Sequence, residues 1–214
     1  MTARVAIDPP RVSEDWPRAA CDDASRSRVS LDVIDDADAV SRALAGDPDA
    51  FAILVDRHAA VCLRYATRML GSRDDAEDVI QESLMRAFRA LAAYDRSREF
   101  RTWLLSIVAN RCRTALATRR RRERFLVADA GERSAIAIAS DDADSDEISA
   151  VEWALAQLDA AHREAFLLKH VEGLSYEEIA SVTGAGISAL KMRVRRACER
   201  MRDLLEDEDA RSNA

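Results

Sequence analysis

Two segments of the chain concentrate arginine and lysine, the side chains that bind nucleic-acid phosphates. Residues 96–124 contain ten Arg and two Glu, a local charge of +8, and residues 187–202 contain six basic residues and one Glu, a local charge of +5. The whole chain of 214 residues nevertheless carries a net charge of -7. Because phosphate binding depends on the local electric field, we predict two separate surfaces for anionic partners.

The C-terminal basic segment follows a helix start and a tight turn. Ser175 and Glu178 have the spacing of a capping box, and residues 184–186 (GAG) predict a turn. A short helix over residues 175–183, this turn and a longer basic helix over about residues 187–206 make up the helix-turn-helix plan, whose second helix enters the DNA major groove. An ordinary amphipathic helix with a solvated basic face is the simpler alternative, but it leaves the capping box and turn unexplained.

The predicted recognition helix separates an apolar stripe from a polar side. The apolar stripe is Ile187, Leu190, Val194, Ala197 and Met201. The residues on or near the outside, which we predict to contact DNA, are Ser188, Lys191, Met192, Arg193, Arg195 and Arg196. Arg can read guanine with two hydrogen bonds, and Lys or Arg can neutralise phosphate.

An acidic stripe lies on a different predicted helix, which Ser72 caps. Asp74, Asp78 and Glu82 are four residues apart and share one helix face, with Gln81 beside them. Such a face can dock a basic helix of a partner, although an acidic first turn can also serve only solubility. The apolar stripe of this helix is predicted as Ala76, Ile80, Leu84, Ala87, Phe88 and Leu91.

The composition favours helices throughout, because the chain has only six Gly and four Pro among many good helix formers. We predict an all-α fold of two small helical domains joined by a flexible linker. Four helices are predicted in the first part of the chain: they begin at Asp36, at Asp47-Pro48 (ending at about Leu70), at Ser72 and at residue 100 (ending at residue 121). Two more, over residues 148–158 and 160–172, precede the helix-turn-helix. The predicted organisation is a disordered extension (1–35), a first domain (36–122), a linker (123–147), a second domain (148–207) and a tail (208–214).

Several segments resemble bacterial sigma factors of the extracytoplasmic-function (ECF) type. Residues 163–166 (REAF), 172–180 (EGLSYEEIA) and 190–197 (LKMRVRRA) look like the domain that binds the −35 promoter element. Residues 75–82 (DAEDVIQE) look like the contact of this family with RNA polymerase, and residues 100–111 (FRTWLLSIVANR) look like its −10 element helix. The resemblance covers residues 36–122 and 148–206 and departs from the family pattern at Thr114, Ser188-Ala189 and Met192.

The resemblance implies three sets of site residues and an alternative sigma factor that directs promoter-specific initiation. Core polymerase would bind Asp75, Asp78, Gln81, Glu82 and Met85. The −10 DNA would bind Arg98, Arg101, Thr102, Trp103, Ser106, Asn110 and Arg113, with Trp103 open to either base stacking or a core role. The −35 DNA would bind the six outward residues of the recognition helix.

The same resemblance implies three partners: core RNA polymerase, promoter DNA and an anti-sigma protein wedged between the domains. The acidic linker would either enter the RNA exit path of polymerase or act as a tether. Two alternatives stay open: a dimeric helix-turn-helix regulator independent of polymerase, and a protein that sequesters other factors through its acidic helix.

No catalytic, metal or cofactor site is expected. His58, His162 and His170 are isolated, and the four Cys (Cys21, Cys62, Cys112, Cys198) form no CxxC pair. The chain has no apolar run long enough for a membrane span and no signal peptide pattern. We therefore expect a cytoplasmic protein that is not an enzyme and does not insert into membranes.

Overall fold

The computed structural model describes residues 34–129 and 150–212, and side chains over 34–124 and 150–207. All regular structure within these residues is helical, as predicted. Most of the predicted N-terminal extension, residues 130–147 of the predicted linker and the end of the tail lie outside the described residues. No helix in the described ranges has the length and apolarity to cross a membrane.

The first domain begins with three helices whose ends follow the local sequence signals. The side chains of Asp35, Asp47 and Ser72 each accept a backbone N–H at a helix start. Gly71 ends the second helix with φ 71°, a left-handed conformation that favours glycine. The helices are α1 (Asp36–Leu44), α2 (Pro48–Leu70) and α3 (Arg73–Ala90), followed by a 3₁₀ turn (Leu91–Ala93).

The fourth helix, α4 (Phe100–Asp129), is longer than predicted. Residues 122–129 continue it, although the sequence places residues from 123 onward in a linker. Arg, Glu and Leu in this stretch are good helix formers, and an Arg119–Glu123 ion pair of 3.2 Å spans one turn. The first half of α4 packs against α2 and α3.

The second domain contains α5 (Ala150–Ala156), α6 (Ala160–Phe166), α7 (Tyr176–Thr183) and α8 (Ile187–Ser212). The predicted single helix over residues 160–172 is therefore only partly correct. After Phe166 the chain widens into a π-helical turn (Leu167–Val171), in which the Glu172 N–H donates to the Leu167 carbonyl at 2.9 Å. A π turn holds an extra residue, so it changes the face on which the following side chains lie.

Each domain has its own apolar core. The largest fully buried side chains of the first domain lie on α1, α2 and α4, and those of the second lie on the π turn, α7 and α8. They are Val40, Leu54, Cys62, Tyr65, Met69, Leu104, Leu105 and Val108 in the first domain, and Leu167, Leu168, Ile179 and Leu190 in the second. Burial raises the pKa of the thiols of Cys62 and Cys112 to about 12, so both are protonated at neutral pH.

Two residues of the predicted apolar stripes lie at the surface instead. Phe88 is 49% exposed and packs edge-on against Phe51, with ring centroids 5.0 Å apart. Val79 and Ser83 are buried on α3 although they are not in the predicted stripe. The buried face of the helix is therefore rotated toward these two residues and away from Phe88. Ile187 is 37% exposed because it is the first residue of α8, where no turn precedes it.

Candidate nucleic-acid and polymerase interfaces

The acidic face of α3 is open to solvent. All five residues predicted to bind core polymerase are exposed: Asp75, Asp78, Gln81, Glu82 and Met85. The Ser72 hydroxyl accepts the Asp75 N–H at 3.2 Å and so anchors the first turn. Exposed Met85 and Phe88 add apolar area beside the carboxylates. A mixed acidic and apolar helix face of this kind suits a protein partner with a basic helix.

One carboxylate of this face is already paired within the molecule. Arg111 of α4 donates to Glu82, and the Arg111 side chain is 18% exposed. The pair ties the acidic face of α3 to α4. A basic partner that binds Glu82 therefore competes with Arg111 for this carboxylate.

The start of α4 carries an aromatic cluster beside basic side chains. Tyr94, Phe100 and Trp103 lie with ring centroids 5.0 to 5.5 Å apart. Trp103 is half-buried, so one part of its ring supports the cluster and another part faces outward. Thr102, predicted to contact DNA, is only 2% exposed and faces the core. The outward ring surface can stack a nucleic-acid base, but the Thr102 hydroxyl cannot reach one without rearrangement.

Farther along α4, a cleft of about 400 Å³ separates α3, α4 and α7. Its lining includes three of the predicted −10 residues, namely Ser106, Asn110 and Arg113. Asn110 is exposed, whereas Ser106 and Arg113 are half-buried. These three predicted −10 residues therefore share one side of α4, and the second domain covers part of that side.

The second domain contacts this side of α4 through arginine side chains, in pairs that the sequence did not reveal. Arg113 donates to Glu164 at 2.7 Å, and Arg101 donates to the Glu172 carboxylate and, at 3.3 Å, to its carbonyl. Arg98 donates to Ser181 of α7. Glu164 and Glu172 are 5% and 7% exposed. Burial raises the pKa of Glu164, and Arg113 opposes that rise.

Arg163 is a second structural feature that the sequence did not predict. Its guanidinium is buried and donates to the carbonyls of Leu155, Ala156 and Leu158, at 2.6 to 2.9 Å. It also reaches the Met69 carbonyl of α2 at 3.0 Å. The positive group thus meets the carbonyl end of α5, where helix backbone acceptors have no intrahelical donors. Burial lowers the pKa of Arg163.

The helix-turn-helix is formed as predicted by α7 and α8. Ser175 and Glu178 make both hydrogen bonds of the capping box, at 2.7 and 3.1 Å. Gly184 ends α7 with φ 72°. Five of the six predicted −35 residues are exposed, namely Ser188, Lys191, Met192, Arg195 and Arg196, and Arg193 is half-buried and lies near Glu164. The exposed side of α8 is basic and accessible, although Arg195 pairs with Glu199 at 2.7 Å.

The described residues hold no cluster of three or more His, Cys, Asp or Glu placed to bind a metal ion. His58 is buried, with its Nε2 2.8 Å from Asp36. His162 contacts Asp159, and the His170 Nε2 lies 3.5 Å from the Cys198 sulfur. Each described histidine therefore has a local structural partner.

Comparisons with known proteins agree with this geometry. Family models described as Sigma-70 region 2 and Sigma-70, region 4 match residues 54–122 and 149–201. The chain is 35% identical over 160 residues to RNA polymerase sigma factor CarQ of Myxococcus xanthus, covering 75% of this chain and 91% of CarQ. It is 32% identical over 176 residues to ECF RNA polymerase sigma factor SigL of Mycobacterium tuberculosis, covering 78% of this chain and 96% of SigL.

A solved structure is also similar, that of the sigma factor RpoE in complex with the anti-sigma factor NepR from Bartonella quintana. Its TM-score is 0.58 at 28% identity, and the match covers 73% of this chain and 96% of that one. The acidic face of α3 and the N-terminal part of α4 lie within the region 2 match, and the helix-turn-helix lies within the region 4 match. The chain belongs to the extracytoplasmic-function sigma factors, the bacterial RNA polymerase subunits that direct initiation at specific promoters.

Proposed function

We propose that three separate faces of this sigma factor each bind a different partner or promoter element. The exposed face of α3 binds core polymerase, the start and middle of α4 bind the −10 element, and α8 binds the −35 element. The observation that carries this proposal is the exposure of all five predicted polymerase-binding residues on one face of α3. The aromatic cluster at the start of α4 and the basic side of α8 support the two DNA assignments.

On the −10 face, Trp103 offers a stacking surface next to Arg98 and Arg101. Single-stranded nucleic acid is held by aromatic rings that stack on bases and by basic groups that follow the backbone. Captured bases of the opened strand would lie against the cluster, while Asn110 and Arg113 contact the backbone farther along α4. Thr102 is buried beneath this face and would support it by packing and not by contacting DNA.

On the −35 face, Lys191, Arg195 and Arg196 are the exposed basic residues of the first three turns of α8, and Arg195 pairs with Glu199. The N-terminal half of a recognition helix meets base edges, and flanking basic residues meet phosphates. Met192 is 47% exposed beside them and offers an apolar contact, for example to a thymine methyl group. Base preference at this position should therefore favour A·T pairs.

Control by an anti-sigma factor is part of the proposal. The Bartonella quintana relative was solved in complex with such a factor, and the match covers most of both chains. The exposed face of α3 and the junction between the domains are the surfaces on which such a protein could block both polymerase and DNA. We expect this sigma factor to act in the cytoplasm, with RNA polymerase, and to have no catalytic role of its own.

In vitro transcription tests the proposed function. Purified core polymerase, a promoter library and the full chain should give initiation from a defined subset of promoters only when the chain is present. No initiation from any promoter, with the protein shown to be helical, would contradict the proposal.

Charge reversal on α3 tests the polymerase assignment. Asp78→Lys should weaken binding to core polymerase by roughly tenfold to a hundredfold, because a close like-charge contact at an interface costs about 1–3 kcal/mol. The matched control is Asp56→Lys, which makes the same change of charge at an exposed position of α2. Both variants should keep wild-type circular dichroism. Equal binding by the two variants would refute the assignment to α3.

A further inference from the structure

The aromatic cluster at the start of α4 rests on a buried histidine of α2. The ring of His58 lies 5.5 Å from that of Phe100, the first residue of α4, and the His58 side chain is only 10% exposed. Phe100 is itself buried and contacts both Tyr94 and Trp103. A change in the position of the His58 ring is therefore passed through Phe100 to the two half-buried rings of the cluster.

The first helix fixes the orientation of this histidine. One carboxylate oxygen of Asp36, in the first turn of α1, lies 2.8 Å from His58 Nε2, and the other accepts a hydrogen bond from Arg57. The Asp36 side chain is 29% exposed, so the contact is partly shielded from solvent. An imidazole that is held at one ring nitrogen cannot turn freely, so Asp36 sets the ring plane against which Phe100 packs.

The loop before α4, residues 94–99, is attached to the same helix. Arg96 donates to the hydroxyl oxygen of Ser41 at 3.1 Å, while that hydroxyl donates to the Ala37 carbonyl at 2.8 Å. The 3₁₀ turn at residues 91–93, which leads into the loop, also packs against α1. The loop is therefore connected to α1 at its beginning and near its middle.

Hydrogen bonds within the loop close it into one unit. The Asp95 carboxylate accepts the Ser97 N–H at 2.9 Å, and the Asp95 carbonyl accepts the Arg98 N–H at 3.1 Å. The Tyr94 hydroxyl donates to the Arg98 carbonyl. Burial and the nearby carboxylates of Asp36 and Asp95 raise the pKa of Tyr94, so this donor stays protonated at neutral pH. Because the loop is closed internally, its attachments to α1 decide where it lies.

We propose that α1 positions the −10 recognition surface, with Asp36, His58 and Ser41 as positioning residues that contact no DNA themselves. The inference rests on the proposed function, because it requires the aromatic cluster and Arg98 to receive the captured bases. A surface already held in its binding conformation loses less entropy on binding and fits correct bases better than incorrect ones. Loss of these contacts should lower discrimination at the −10 element and leave binding to core polymerase and to the −35 element unchanged.

The test uses holoenzymes reconstituted with full-length variants, on a promoter that the wild type selects from the library. The readout is −10 selectivity: the rate of open-complex formation on that promoter divided by the rate on the same promoter with its −10 bases substituted. Asp36→Ala should lower this ratio by at least about tenfold, the factor that corresponds to one hydrogen bond to a charged group. Asp36→Asn keeps an oxygen acceptor for His58 and should lose only about threefold.

Two further variants separate the contacts of α1 from its general stability. Ser41→Ala removes only the acceptor of Arg96 and should lower −10 selectivity by about twofold to fivefold, as expected for one exposed hydrogen bond. Asp38→Ala is the matched control, since it removes the same charge at an exposed position of the same turn, and it should keep wild-type selectivity. Ala39 and Val40 are fully buried and pack α1 onto α2, so every variant keeps the apolar anchor of the helix.

Three results would overturn the proposal: unchanged −10 selectivity in Asp36→Ala, an equal loss in the Asp38→Ala control, or a parallel loss of affinity for core polymerase. The last would show a merely structural role. If circular dichroism shows that Asp36→Ala loses helix content, Ser41→Ala decides in its place by the same criteria. Trp103→Ala in the same assay tests the proposed function separately, because selectivity that does not depend on Trp103 would contradict the assignment of α4 itself.

Discussion

Arg163 provides the sharpest test of what holds the second domain together. Its guanidinium donates four hydrogen bonds to backbone carbonyls: two at the end of α5, one at Leu158 just after it, and one on α2. Arg163→Met keeps much of the aliphatic volume and removes every donor. All four carbonyls lose the charged donor; the Leu155 carbonyl still accepts the Leu158 N–H, whereas the Met69, Ala156 and Leu158 carbonyls lose the side-chain donor that they have in the structure.

The expected loss follows from these bonds. An unsatisfied buried acceptor costs about 1–3 kcal/mol, and the substitution leaves three such carbonyls behind. Removing the charge also ends the cost of its burial, which is the cause of the lowered pKa of Arg163. We therefore expect the variant to lose about 3 kcal/mol of unfolding free energy and to melt on the order of 10 °C lower.

Urea titration followed by circular dichroism measures this change, with hydrogen exchange to locate it. Arg163→Lys keeps the charge but not the planar set of donors, so it should lose less than the Arg163→Met variant. Arg200→Met, at an exposed position of α8, is the control and should change stability by less than about 0.5 kcal/mol. An Arg163→Met variant as stable as the Arg200→Met control would refute the reasoning. A loss of hydrogen-exchange protection that is confined to the first domain would also refute it.

The remaining predictions concern single residues of the second domain. Burial raises the pKa of Glu164, so the folded protein binds its proton more tightly, and the contribution of this group to stability falls as pH rises above about 4.5. The unfolding free energy of wild type minus that of Glu164→Gln should therefore decrease from pH 4 to pH 7 in urea titrations, and a constant difference would contradict this sign. Gly184→Ala should cost about 1–2 kcal/mol because φ is 72°, although nothing lies within 4 Å of an added Cβ. Gly186→Ala has equal space and no positive φ, so thermal melts should show little change for it; equal losses in both would assign the effect to sterics instead.

Local signals in the sequence predicted most of the helices and the exposed positions of the candidate sites on α3 and α8. Asp47, Ser72 and Ser175 mark helix starts and Gly184 marks a helix end, because a cap depends on residues only a few positions away. The acidic side of α3 followed from helical spacing alone. The exposure of Phe88 was missed because helical spacing indicates a face but not where a neighbouring helix crosses it.

The contacts between the domains could not be read from the sequence. Arg101 and Glu172 are 71 positions apart, and Arg113 and Glu164 are 51 apart. No local pattern distinguishes such a pair from two solvated surface charges. Glu164 lies in a recognised motif, but the motif indicates a family and not the partner of its carboxylate. The packing of α4 against α7, and of α2 against α5 and α6, brings these groups together.

The length of α4 has a consequence for kinetics. A helix of 30 residues is about 45 Å long, and its second half carries exposed arginines over residues 120–124 beyond the packed core. The field of these charges extends about 8 Å into solution at physiological salt, so this end of α4 meets an approaching polyanion before the rest of an acidic molecule repels it. Encounter with DNA should be fast at low ionic strength and slow sharply as salt is added.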